Sequence, residues 1–205
     1  MGRTISLYSV HPSVAMVQNW TATLKDKTGR SLDEWVVLIR KAGPAGEKER
    51  RDWLKQAHGL GTIAATRLAE RAAGKGAEFD SAEAYLSAAE AWVDAMYAGP
   101  RAALRPIHDA LLALGLAAGP EARACPCETI VPVYRNHVFA QIKPATRTRI
   151  DLGFALGARK AAGRLIDTGG YAKKDRITHR IPISSLDDID AEVKQWLRTA
   201  YEEDQ

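Results

Sequence analysis

Few residues in this chain are of a type that could carry chemistry, and their spacing narrows the choice quickly. Five histidines, His11, His58, His108, His137 and His179, are scattered, and none stands in the His-x3-His or Cys-x2-Cys spacing that holds a metal. His179 alternates with Ile177 and Ile181, which suits a satisfied histidine on the inner face of a sheet. Cys125 and Cys127, the two cysteines, lie either side of Pro126, a poor geometry for a disulfide and at most half of a zinc site. No triad-like partner for either thiol can be picked out, so both are expected to be structural. These patterns assign no catalytic residue and call for no cofactor and no metal.

Two glycine-bearing stretches offer a different chemistry, the holding of phosphate. In HGLGTIAATRLAERA a Gly-x-Gly turn opens a helix whose first N–H groups could receive an anion, but glycine also stops helices for structural reasons, and a packing corner is the simpler account. GRLIDTGGYAKKDR has paired glycines and Lys173-Lys174 without the Gly-x4-Gly-Lys-Ser/Thr spacing of a nucleotide loop, and is expected to be a mobile loop.

The richer pattern is a one-sided row of cations in ETIVPVYRNHVFAQIKPATRTRIDLGFAL, residues 128–156. Along HVFAQIK, Val138, Ala140 and Ile142 fall on one face and His137, Phe139, Gln141 and Lys143 on the other, the alternation of a half-buried strand. The same rule sends Ile150, Leu152 and Phe154 inward and Arg149, Asp151 and Gly153 outward. The expected site is therefore an open sheet face and its flanks, carrying Arg135, Phe139, Lys143, Arg147, Arg149 and Arg180. Cations would meet phosphates and Phe139 would stack on a base, as in non-specific single-strand binders. The charge distribution agrees: residues 123–180 hold twelve Lys and Arg against four acids, whereas residues 1–100 hold thirteen against twelve. A solvated basic face is the plainer alternative, because polar outer faces are usual for antiparallel sheets.

The elements that must position these residues follow from punctuation and period. Val14, Val17, Trp20 and Leu24 recur at helical spacing after Pro12; Ser31 and Glu34 have capping-box spacing before a second helix; a third runs from Glu47 to His58 and a fourth precedes Gly74. GKGAEF, residues 74–79, reads as a hinge, which divides the chain into a helical module, 1–76, and a second module, 77–205. After an alanine-rich helix over 81–97 and another over 101–116 comes the sheet, then the strand ITHRIPI and a last helix. Ser185 is expected to cap that helix, with Leu186, Ile189, Val193, Trp196, Leu197 and Ala200 forming its apolar face. The fold class is α+β: an N-terminal helical bundle followed by a small antiparallel sheet packed against helices.

TGRSLDEWVVLIRKAGPAGEKERRDWLKQAHGLGTIAATRLAE resembles the helical module of a bacterial domain-of-unknown-function family, type four-two-eight-seven, over about Trp20 to Ala73. LRPIHDALLALG, YRNHVFAQIKPATRTRIDLGFAL and ITHRIPISSLDDIDAEVKQWLRTAYE are similar to a second such family, type five-six-five-five, over Arg101 to Tyr201. The resemblance implies a bacterial protein and brings no activity, substrate or site residue with it.

No run approaches 18 uninterrupted apolar residues and the opening MGRTISLYSVHPSV has no adequate apolar core, so neither a membrane span nor a signal peptide is expected. The expectation is a cytoplasmic, non-catalytic binding or accessory protein with nucleic acid as its partner. The alternative is a small-molecule-binding protein or enzyme whose pocket lies between the two modules.

Overall fold

The computed structural model describes residues 6–205. Its described residues form seven α-helices, three short 3-10 turns and six strands: α1 Ser13–Thr28, α2 Leu32–Ala42, α3 Glu47–His58, α4 Thr62–Ala72, α5 Ala82–Met96 and α6 Arg105–Leu116; β1 Arg123–Ala124, β2 Val131–Tyr134, β3 Val138–Pro144, β4 Ile150–Phe154, β5 Ile166–Asp167 and β6 His179–Ile183; then α7 Ala191–Glu203. The chain forms two compact units, Val10–Tyr85 and Leu86–Gln205, the latter joined by residues 6–9.

In the helical unit the local signals and the core agree. Ser31 caps α2: the Glu34 N–H donates to Ser31 Oγ at 3.3 Å and the Ser31 N–H donates to the Glu34 carboxylate at 2.7 Å, closing a capping box. Trp35, one residue on, is buried and donates its indole N–H to Thr28 Oγ1 at 2.8 Å. Around it pack Leu24, Ile39, Leu54, Ala65 and Leu68. Small residues on α4, Ala65, Ala69 and Ala72, let that helix lie close to α2 and α3. Gly59 ends α3 in the left-handed conformation, φ 64°, which costs a glycine nothing and any side chain something.

The second unit is a six-stranded antiparallel sheet in the order β1-β2-β3-β4-β6-β5, with α6 and α7 packed on one face. Val131, Ile142, Ile150, Leu152, Phe154, Ile181 and Ile183 point into that interface, where they meet Leu111 of α6 and Val193, Leu197 and Ala200 of α7. Ile150 pairs with Ile183 and Leu152 with Ile181, so the inward series of β4 and β6 run in step, as the alternation predicts.

Three expectations need correction. The alternation of β3 breaks at Phe139: Val133 pairs with Ala140 but Tyr134 with Val138, which leaves Phe139 as the extra residue of a β-bulge. The bulge restarts the pleat, so that Phe139 and Ala140 are both buried, and the Phe139 ring meets Tyr201 of α7 edge-on at 5.3 Å between centroids. The last helix starts in two steps, for Ser185 heads a 3-10 turn, Leu186–Asp188, and Asp190 caps α7 by accepting from the Val193 N–H at 3.0 Å. As a result Leu186 is exposed; Trp196, within α7, only borders the core, its ring under the Arg159 guanidinium.

Candidate functional site

The uncovered face of the sheet is built from the outward positions of β3, β4 and β6. Lys143 on β3 lies opposite Asp151 on β4, Asp151 lies opposite Pro182, and Gly153 lies opposite Arg180. Asp151 is the hub of this face. Arg180 donates to Asp151 Oδ2 at 3.0 Å, and Arg149 Nε sits 2.9 Å from Asp151 Oδ1 as an ion pair without hydrogen-bond alignment. One carboxylate thus hydrogen-bonds one guanidinium and attracts a second, while cancelling only one of their charges. Lys143 and Arg147 are exposed and have no ion-pair partner among the described residues. Of the residues expected here, Lys143, Arg149 and Arg180 come together on the face, and Arg147 stands on the β3–β4 turn beside it.

The other two expected residues lie elsewhere. Phe139 is in the core, as described, and has no ring to offer a base. Arg135, on the β2–β3 turn, is committed to the last turn of α7: its guanidinium lies over the Tyr201 ring at 4.8 Å, donates to the Tyr201 carbonyl at 3.1 Å and pairs with Glu121 at 2.9 Å.

The segment after β5, read from sequence as a mobile loop, is instead folded on itself beside the open face. The Asp175 N–H donates to the Gly170 carbonyl at 2.9 Å, the Lys174 N–H to the Tyr171 carbonyl at 3.1 Å, and Thr168 Oγ1 to the Thr178 carbonyl at 2.8 Å. Ile177 crosses the sheet above Gly153, where a Cβ would stand 2.6 Å from Ile177 Cγ2; glycine is what lets the loop approach. A recess of about 460 Å³ lies between sheet and loop, floored by Gln141, Lys143, Asp151 and Arg180 and walled by Thr168 and Arg176. A second, of about 590 Å³, continues past Asp175 and Arg176 to Tyr171 and Lys174. Tyr171 is 61% exposed. Sequence reasoning missed this aromatic; its signal was an aromatic residue set between paired glycines and paired lysines.

Arg176 also ties the loop to α7. It pairs with the buried carboxylate of Asp204 and donates to the Val138 carbonyl at 2.8 Å. The same carboxylate accepts from the His137 N–H at 2.8 Å and contacts His137 Nδ1 at 3.1 Å. Three segments therefore close on one acid.

The remaining candidates are structural in their surroundings. His179 is buried, with Nδ1 2.9 Å from Thr178 Oγ1 and Nε2 2.8 Å from the Arg159 carbonyl. Burial pushes the Cys125 thiol up to about 11 and raises that of Cys127 as well, which disfavours the reactive thiolate at both. Among the described residues no group of three or more His, Cys, Asp or Glu could hold a metal ion. The Gly59–Gly61 turn borders a mostly apolar recess of about 620 Å³ lined by Trp20, Leu24, Leu60 and Ile63 together with Lys27, Thr28 and Thr62.

Residues 93–204 match the family model described as domain of unknown function DUF5655, over more than half of the chain. The chain belongs to the DUF5655 family. Residues 16–73 match a second domain of unknown function, DUF4287, so the pairing expected from sequence holds. No curated protein and no solved structure matches the chain. The DUF5655 match takes in the whole sheet, the folded loop and all of α7, and thus every residue of the face just described. No helix among the described residues is long and apolar enough to cross a membrane.

Proposed function

We propose that the DUF5655 domain of this protein binds nucleic acid along its open sheet face, contacting the phosphate backbone rather than reading sequence. The observation that carries this reading is the charge arrangement around Asp151. Arg149 and Arg180 are oriented by one carboxylate, and Lys143 and Arg147 are left unpaired beside them. The cluster keeps a net positive charge, and two of its members, Lys143 and Arg147, form no ion pair among the described residues. Fixed guanidiniums present a planar fork to phosphate, and unpaired lysine and arginine release condensed counterions from the backbone when they bind it. The uneven charge of the chain points the same way, since the excess lies in the segment that folds into this sheet and its loop.

The test is fluorescence anisotropy of labelled oligonucleotides against the full chain over a salt series. Affinity should fall steeply with salt, with a log–log slope of about −0.7 per phosphate neutralised on a single strand. Lys143→Ala/Arg147→Ala should make that slope shallower by about 1.4, two phosphate contacts' worth. Absence of binding at low salt, where the attraction is strongest, would refute the reading.

A further inference from the structure

We infer that the recess beside Tyr171 receives an unpaired base, so that single-stranded nucleic acid is the ligand class of this face; the inference rests on the phosphate-binding reading above and adds a second contact to it. Tyr171 is the large aromatic that this region leaves in solvent, 61% exposed, and its side chain has no hydrogen bond or ring contact among the described residues. An exposed ring on a floppy loop would mean little. This ring is carried by a loop held through backbone hydrogen bonds at Gly170, Tyr171 and Asp175, and by Arg176 through Asp204. Lys174, which closes the turn, has φ 61°, the one positive φ at a non-glycine among the described residues. Such a conformation is unfavourable for a lysine and persists where the surroundings fix it. The loop is therefore a preorganised mount, which lowers the ordering cost of a stacking contact.

Size, charge and continuity specify what the mount would hold. The recess of about 590 Å³ falls within the roughly 300–1,000 Å³ range of small-ligand sites, enough for one base and its sugar. It shares Asp175 and Arg176 with the recess over Lys143 and Arg180, so a backbone tracking the cations passes its opening. The Asp175 carboxylate repels a phosphate there but accepts from the exocyclic amine of a base. Lys174 lines the recess with Tyr171, exposed Lys173 precedes it in the chain, and neither has an ion-pair partner among the described residues, which suits the adjoining phosphates. In a duplex both faces of each base are already stacked, so the ring has a partner only when the strand is unpaired.

Anisotropy titrations with the full chain, using a labelled single strand of about 16 nucleotides, its duplex, and a strand of the same length made of abasic sites, test this. Tyr171→Ala should weaken single-strand binding by roughly 5- to 150-fold, the range for loss of one base–aromatic stack, while leaving the salt slope and duplex affinity within about twofold of the parent. Tyr171→Phe should keep the affinity, because the ring and not the hydroxyl makes the contact. The abasic strand should bind the parent no better than the normal strand binds Tyr171→Ala. Since the side chain lies in solvent, circular dichroism should show both variants folded. Salt-dependent binding that Tyr171→Ala leaves untouched, or weakens equally on single strand and duplex, overturns the stacking inference and spares the cationic face. No binding to any of the three probes at low salt overturns the face and the inference together.

Discussion

His108 should make the sheet unit lose stability in mild acid, and the size of the effect follows from its surroundings. It lies on α6 with no measurable exposure, neither ring nitrogen has a hydrogen-bond partner among the described residues, and its ring packs against that of Tyr97 at 4.5 Å. Burial drives its pKa down from 6.5 to about 4; Asp109 pulls it up and Arg105 presses it down, both less than burial does. Above pH 6.5 the imidazole is neutral in the folded and unfolded chain alike and contributes nothing to pH dependence. Below it the unfolded chain takes up a proton that the folded chain refuses, so stability falls with pH until the folded group titrates near 4. At about 1.4 kcal/mol per pH unit the loss reaches roughly 2.5 kcal/mol by pH 4.5, a large share of a marginal domain's total. Because carboxylates titrate in the same window, the measurement is a difference. Urea unfolding of the parent and of His108→Phe, at pH 7 and pH 4.5, should show the parent losing that much more. At pH 7 the variant should be at least as stable, since phenylalanine keeps the ring contact and removes two buried, unsatisfied nitrogens. Parallel losses in the two proteins would mean that His108 is charged or hydrated in the folded state, and the argument from burial would fail.

Other substitutions test other parts of the structure. Phe139→Ala should cost ~3–5 kcal/mol in urea unfolding, as for a buried aromatic, whereas the same change on an outward ring would fall within about 0.5 kcal/mol. Gly153→Val should displace Ile177 from the sheet, visible as increased proteolytic cleavage between Thr168 and Ile177, while the core strands stay protected in hydrogen exchange. Native Cys125 should react with iodoacetamide at neutral pH far more slowly than in urea, because its thiol is buried and raised to about 11.

Where the sequence could be read and where it could not separates along physical lines. Helices whose ends are set by local chemistry, such as α2 behind Ser31 and α3 before Gly59, are legible because cap and partner lie within five residues. The inward faces of β4 and β6 are legible because their alternation is unbroken. Phe139 is not, since a bulge is a property of two strands: nothing in HVFAQIK says that Tyr134 will skip a residue of its partner. Ser185 misleads for a related reason, as both it and Asp190 are good caps and only the path of the chain decides which one heads the longer helix. At the site the cations are visible in sequence, but their division into held and unpaired ones depends on Asp151 sitting between Arg149 and Arg180 across two strands. Arg135 is lost to the face by the same logic, through contacts with Tyr201, 66 residues away.

Asp204 gives the molecule a remote gauge of what happens at the recess. Its carboxylate joins the last turn of α7 to the loop through Arg176 and to the β2–β3 turn through His137, so none of the three can open without unpairing a buried charge. Fraying of that helical turn and opening of the loop are therefore expected to be coupled through this carboxylate. An occupant that holds the loop shut suppresses both, and the amides of Tyr201 to Asp204 slow their exchange with solvent deuterium although no ligand touches them. If the recess binds as proposed, exchange at the end of α7 should follow its occupancy through that salt bridge.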